Sequence, residues 1–344
     1  MLNNSILVRS FPKPHKPFKP RHVPLLARFY CYAYQTYTNS RAEIWLMRAL
    51  RKVFRAYRRI CGASFGEFDY QRIGKLAKIK FNARNTQFHT IYDSNCKNNG
   101  YELEVAALLD ALLPEGGTFF DVGSNWGYFV LYSASNHERL RIFAFEPTPG
   151  TYNDLVRCVK EAGLSDLVVC MNIALSNVDG DAFIQIPDGL HSGCAEVSKT
   201  TGSAGIKTRR LDSLGLPPPD FIKIDVENHE LEVLQGAEHT LRTARPFLVF
   251  ESKPPDYRHP EKILTTLFLL SKLGYRLYVP GTKRQFQTES YMVQSSWHRV
   301  GHEDQFALVP FSPETRLLWQ HDINVFACHE SRGQELLNVF DVWP

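Results

Sequence analysis

The chain has 344 residues, 44% hydrophobic and 22% charged, with a net charge of +4. This is the composition of an ordinary soluble globular protein, long enough for one large domain plus an extension or for two domains, and it excludes dependence on disulfides for a stable core. The seven cysteines are scattered, odd in number and without a C-x-x-C pair, which argues against a zinc cluster or a secreted disulfide framework. No apolar run reaches the roughly 18 residues of a membrane-spanning helix. Pro12, Pro14, Pro17 and Pro20 interrupt the place where a signal peptide would lie. A soluble cytoplasmic protein is expected.

The charge is uneven. Residues 1–60 carry thirteen Lys and Arg against one acid, Glu43, while the other 284 residues carry 27 basic and 35 acidic side chains. Such an arm could meet an acidic membrane surface, nucleic acid or another anionic partner, although a solvated arm is the plainer reading. Five prolines in residues 10–24 predict an extended or disordered stretch. From Ala27 to Arg59 the pattern turns helical and aromatic, so 1–60 reads as a basic, Pro-rich arm with a helical extension. Residues 61–100 read as a lead-in of short strands or loops. The main domain then spans 101–344, with its core at 117–280.

In that domain Tyr101–Leu113 is predicted as a helix, stopped by Pro114-Glu-Gly-Gly117. Strand and helix then alternate. Strands are predicted at Thr118–Val122, Arg141–Phe145, Leu167–Met171, Phe221–Asp225, Phe247–Glu251, Tyr275–Val279 and Ile323–Cys328. Helices are predicted at Tyr128–Ser135, Thr151–Ala162 and Lys262–Lys272, with another carrying Leu231, Leu234, Ala237 and Leu241 on one face. Short apolar strands alternating with amphipathic helices imply an α/β fold, a mostly parallel sheet covered on both faces.

Ligands of such sheets bind beyond the carboxyl ends of the strands. The first strand ends in Asp121-Val-Gly-Ser-Asn-Trp-Gly127. Gly123 permits a tight turn, Gly127 permits close helix packing or ligand approach, and Asp121 offers a carboxylate to an ammonium or hydroxyl group. The second strand ends at Glu146, where an acid is suited to both hydroxyls of a nucleoside ribose. Together they point to a nucleoside-containing cofactor. A nicotinamide dinucleotide would call for three glycines around its pyrophosphate, whereas a carboxylate at this turn suits a cationic sulfonium amino acid. The fourth strand gives Phe221-Ile-Lys-Ile-Asp225, followed by Val-Glu-Asn-His-Glu230. Asp225 or Glu227 could orient or deprotonate an attacking hydroxyl. Glu230 leans to capping the next helix, and Glu227 stands between the two readings. Asp225 with Glu251 could hold magnesium, but two carboxylates do not make a site, so no metal is expected. The polar loop Asp188–Gly193 supplies His191 as a secondary base candidate.

The ordered series of motifs resembles the FkbM family of methyltransferases over roughly residues 100–280. Its marks are Tyr101-Glu102, Phe120-Asp-Val-Gly-Ser-Asn-Trp-Gly-Tyr128, Ala144-Phe-Glu-Pro-Thr-Pro149, Asn172-Ile-Ala-Leu-Ser176, Arg210-Leu-Asp212, Ile222-Lys-Ile-Asp-Val-Glu227 and Glu232-Val-Leu-Gln-Gly-Ala237. The resemblance implies a class I Rossmann-like methyltransferase fold with a seven-stranded sheet, its last strand antiparallel. It also implies S-adenosyl-L-methionine as cofactor and O-methylation of a sugar or other small-molecule hydroxyl. By that analogy Asp121, Gly123, Ser124 and Asn125 line the methionine portion, with Gly127 closing the turn, Glu146 holds the ribose, and residues around Asn172 to Leu175, Ala174 among them, flank the adenine. Two positions depart from the family pattern: Asn228 stands where Gly is usual, and Arg210 where Thr is usual. Nucleic acid is disfavoured as acceptor, because the Asn/Asp-Pro-Pro-aromatic tetrad of amino-group methylases is replaced by Asp225-Val-Glu-Asn228. The competing readings are an NAD(P)-dependent oxidoreductase and an inert binding protein of methyltransferase fold.

Overall fold

The computed structural model describes residues 5–10, 17–22, 52–53, 65–82, 85, 87–88, 100–185, 196–198, 204–253, 260–282, 305–319 and 321–343. Strand β1 is Leu7–Ser10, β2 Phe18–His22, β3 Phe65–Arg72 and β4 Lys75–Asn82. Helix α1 (Leu103–Leu112) leads to β5 (Thr118–Val122), α2 (Tyr128–Asn136), β6 (Arg141–Phe145), α3 (Pro149–Glu161) and β7 (Val168–Met171). Four strands follow: β8 (Ala174–Leu175), β9 (Gly180–Gln185), β10 (Glu196–Ser198) and β11 (Ala204–Arg209). The chain then gives β12 (Phe221–Ile224), α4 (Glu230–Gln235), α5 (Glu238–Thr243), β13 (Phe247–Ser252), α6 (Pro260–Lys272) and β14 (Tyr275–Thr282). It closes with β15 (Gln305–Phe311), β16 (Ile323–His329), α7 (Gly333–Leu337) and β17 (Asp341–Val342).

The main sheet has ten strands in the order β17-β1-β15-β14-β16-β13-β12-β5-β6-β7. The five strands β7, β6, β5, β12 and β13 are parallel neighbours, and β16 inserts antiparallel between β13 and β14. These seven strands form one uninterrupted run, but the sheet is not the seven-stranded one expected. β15, β1 and β17 extend it by antiparallel pairing. The structure is therefore α/β with a large mixed sheet.

Strand alternation sorts the core onto both faces. Phe119, Phe221 and Phe247, aligned across β5, β12 and β13, belong to one buried cluster. Their neighbours Phe120, Ile222 and Leu248 belong to the other. β5 is buried along its whole length, as expected of a strand covered on two sides. Sequence order reverses between β6 and β12 on either side of β5, so the carboxyl end of β5 is a topological switch point.

Two local readings are corrected. The single helix expected over residues 231–241 is two, α4 and α5. The Gly236 carbonyl accepts from Asp212 N at 3.0 Å rather than continuing the helical ladder, and a Cβ on Gly236 would lie 1.9 Å from the Ser176 carbonyl oxygen. Second, residues 18–22 are not a free arm. β2 pairs with β3, and the Phe18 ring packs against Phe68, Trp126 and Tyr128 at centroid separations of 5.4, 6.4 and 5.1 Å. The helical extension expected at 27–59 lies outside the described residues, save 52–53. Among the described residues no helix is long and apolar enough to cross a membrane.

Candidate active site

At the end of β5 the backbone turns through Gly123, Asn125 and Gly127, all at positive φ (79°, 51° and 96°). The N–H groups of Gly123 and Ser124 both donate to the Phe145 carbonyl at 3.0 Å, which ties the turn to β6. A Cβ on Gly123 would sit 1.8 Å from the Asp225 carbonyl oxygen, so glycine is required there for the β5 and β12 turns to touch. Gly127 makes room for Leu155 of α3, whose Cδ1 would lie 2.7 Å from an added Cβ.

Asp121, the penultimate residue of β5, has 1% of its surface exposed. Neither of its carboxylate oxygens has a hydrogen-bond partner in the structure, and burial pushes the carboxyl up to about 6 against the pull of Lys223. An unmatched buried acceptor is costly, and a ligand that donates hydrogen bonds removes that cost. Glu146, at the end of β6, accepts from Asn125 N at 3.1 Å through Oε2 and from Thr148 N at 2.8 Å through Oε1. Burial raises it to about 7 while these donors oppose the rise. Each oxygen keeps acceptor capacity for a hydroxyl.

A cavity of about 370 Å³ runs over these residues. At one end Ile173, Ala174, Leu175, Ile184 and Val197 make an apolar slot, past which the wall carries Glu146 and the β5 turn. The other end is charged. Lys223, 4% exposed, places Nζ 3.0 Å from Asp225 Oδ2 and 5.1 Å from the Phe129 ring centroid. Burial opposes the Lys223 charge, but Asp225, Asp121 and Glu102 outweigh it and hold the ammonium above its ordinary pKa. Lys253 pairs with Glu227 and stands 4.0 Å from Glu251. Burial raises Glu251 to about 9, with Asp225 and Glu102 adding to it, and raises Glu102 to about 8 against the pull of Lys223.

The structure brings most of the expected site residues together. Gly123, Ser124, Asn125, Glu146 and Ala174 line the cavity, as do Asp225 and Glu227. Three others stand behind its wall. Asp121 sits beside Lys223 by cross-strand register, Gly127 meets Leu155, and Asn172 braces the β6 end by donating to the carbonyls of Glu146 and Pro147 at 2.8 and 3.0 Å. His191 lies outside the described residues. Glu230 begins α4, in whose first turn an acid was expected, and accepts from Val226 N at 3.4 Å, but no side chain caps this helix. Asn228 has φ 69°, a left-handed conformation Asn tolerates, and Glu227 precedes it at 54°.

Glu102 and Lys253 were not singled out as site residues. Glu102 reaches the cavity from the start of α1, far from any strand end, at φ 43°. Lys253 did leave a signal. Lys223-Ile-Asp225 and Glu251-Ser-Lys253 stand at the ends of adjacent parallel strands, each with two charges spaced two residues apart, and alternation puts Glu251 on the face of Lys223.

The family model described as the methyltransferase FkbM domain matches residues 121–277. The chain belongs to the FkbM family and is a methyltransferase. It is similar to the hexuronic acid methyltransferase AglP of Haloferax volcanii, 31% identical over 176 residues that span 50% of this chain and 71% of that protein. It is also similar to methyltransferase sdnD of Sordaria araneosa, 27% identical over 164 residues, 37% of this chain and 63% of that protein. Among solved structures, the methyltransferase FkbM from Methylobacillus flagellatus gives a TM-score of 0.35 at 13% identity, covering 70% of this chain and 53% of that one. An oxidoreductase finds no support in these matches.

Proposed function

We propose that the protein is an S-adenosylmethionine-dependent O-methyltransferase acting on a hydroxyl of a sugar or other small molecule. The observation that carries this reading is one continuous cavity with a buried carboxylate, Glu146, near its apolar end and the Lys223–Asp225 pair at its other end. The residues fit the cofactor. Glu146 has acceptor capacity for both ribose hydroxyls and the slot around Ala174 suits an adenine ring, while Asp121, behind the β5 turn, has two unmatched oxygens that add negative charge on the side where the α-ammonium group would lie. When bound, the cofactor supplies an electrophilic methyl group on a sulfonium.

The chain's own residues do the rest. The β5 turn and Glu146 fix the donor, so that alignment of the acceptor hydroxyl with the methyl group supplies much of the acceleration. Asp225, held in place by Lys223, accepts the hydroxyl proton. The name of AglP supports a sugar as acceptor. On this reading residues 101–344 are the catalytic unit, and the strands of 1–60 and 61–100 support it.

Calorimetric titration with S-adenosylmethionine, S-adenosylhomocysteine and NADH tests the cofactor. Saturable binding of both sulfur nucleosides is expected, weakened roughly a hundredfold in Glu146→Ala by the loss of two charge-assisted hydrogen bonds. Binding of NADH alone would refute the reading.

A further inference from the structure

Asp225, Glu227 and Glu251 bring carboxylate oxygens within 4.8 Å of one another at the acceptor end of the cavity. Donor type and spacing would suit a divalent cation. Two ammonium groups already stand in that neighbourhood. Lys253 Nζ pairs with Glu227 Oε2 and lies 4.0 Å from Glu251 Oε2, and Lys223 Nζ lies 3.0 Å from Asp225 Oδ2. Every member of the trio therefore has a lysine against it.

The two lysines differ in what else they can reach. The Lys223 side chain is 5% exposed and lies over the Phe129 ring among Asp121, Asp225 and Glu102. It is enclosed. The Lys253 side chain is 24% exposed and forms part of the cavity wall. An ammonium has three donors, so pairing with Glu227 leaves Lys253 capacity to bond a ligand oxygen. Lys253 directly follows β13, and its pair with Glu227 holds its ammonium at the trio.

We propose that Lys253 is a catalytic residue: a built-in ammonium that supplies, at this carboxylate trio, the positive charge a divalent ion would otherwise bring, and that bonds the acceptor oxygen during methyl transfer. The proposal rests on the methyl-transfer reading. In the step, the acceptor O–H proton passes to Asp225 and the bond between the acceptor oxygen and the methyl carbon forms. The methyl–sulfur bond breaks, with its electron pair left on a now neutral sulfur. Lys253 donates to the acceptor oxygen while negative charge gathers there, the arrangement in which a fixed cation is most effective. Glu227 holds the ammonium in position, with Glu251 beside it. Loss of the lysine then leaves three carboxyl groups facing one another, a set that can take a metal ion with release of the proton on Glu251.

The test uses the full chain, with manganese(II) as the probe, read by electron paramagnetic resonance. It compares the wild type with Lys253→Met, which keeps the length of the side chain, and Lys253→Arg, which keeps the charge. Lys253→Met is expected to bind one manganese ion at least about tenfold more tightly than the wild type or Lys253→Arg. In a transfer assay it should lose roughly a hundredfold in kcat while its affinity for S-adenosylhomocysteine stays unchanged. Chelation by EDTA should leave wild-type transfer intact. Equal manganese binding by wild type and Lys253→Met, binding by neither, loss of wild-type activity in EDTA, or full kcat in Lys253→Met would each overturn the proposal. Absence of transfer by the wild type to any hydroxyl overturns the parent reading and this role together. That outcome is distinct from the one in which wild type and variant transfer equally well.

Discussion

Burial, more than any other influence, raises the Glu251 and Glu102 carboxyls, to about 9 and about 8. In the unfolded chain both ionise near the ordinary glutamate value of about 4.3. Between those limits the folded state binds more protons than the unfolded one, so stability falls as pH rises. The contribution of these two groups is fully present below about pH 4. It is lost as the pH climbs through their folded values. We expect the melting temperature of the ligand-free protein to drop between pH 6 and pH 9, and Glu251→Gln to flatten that drop measurably in scanning calorimetry. At this scale the sequence was informative wherever a strand ends. Asp121, Glu146 and Asp225 could be placed because an apolar run stops at each and a turn residue follows. Glu102 could not, because it reaches the site from a helix start whose position depends on tertiary packing. The role of Gly123 was legible only in part: the tight turn could be foreseen, but not the Asp225 carbonyl that would collide with a side chain.

Among the elements, the buried parallel strands were the easiest to foresee, since β5, β6, β12 and β13 are continuous apolar runs with clear breaks. Strands β9, β10 and β11 were not foreseen. They form a small sheet with β8, in which short alternating segments depend on partners distant in sequence. The break between α4 and α5 also escaped the helical periodicity, because apolar spacing carries across it undisturbed. Asp212 shows what the break is for. Its carboxylate accepts from His239 N at 2.8 Å, Thr240 N at 2.9 Å and Thr240 Oγ1 at 2.7 Å, capping α5 from a distant turn. The Arg210-Leu-Asp212 motif thus has a structural use in this chain. Asp212→Ala should cost about 1–2 kcal/mol, the usual value of a lost cap. Urea denaturation would measure it, and affinity for S-adenosylhomocysteine should not change, since Asp212 is outside the cavity wall.

Across the whole molecule, the basic N-terminal segment is tied to the catalytic unit at two places. β1 lies between β15 and β17 in the main sheet, with Leu7 fully buried. β2 adds Phe18 to an aromatic cluster that includes Trp126, a residue of the β5 turn itself, and Phe88 stacks on Trp126 at 4.2 Å. Composition alone could not reveal this, because proline and lysine in β2 mask a strand that is held by its neighbours. Deleting residues 1–22 would bare the edge of β15 and remove one side of the aromatic cluster. The expected outcome is a melting temperature lower by roughly 5 °C or more, with aggregates visible on size exclusion. An unchanged melt would mean that these strands are dispensable.

Transfer of an isotope-labelled methyl group tests the central claim most directly, and the measurement is made on a panel of sugars and other small hydroxyl compounds. Labelled S-adenosylmethionine is supplied to the wild type and to Asp225→Asn, and the products are resolved by mass. The account predicts a labelled methyl ether on at least one hydroxyl acceptor, with the rate reduced at least about a hundredfold in Asp225→Asn. Cofactor binding without label in any acceptor, or equal rates in the two proteins, would contradict it.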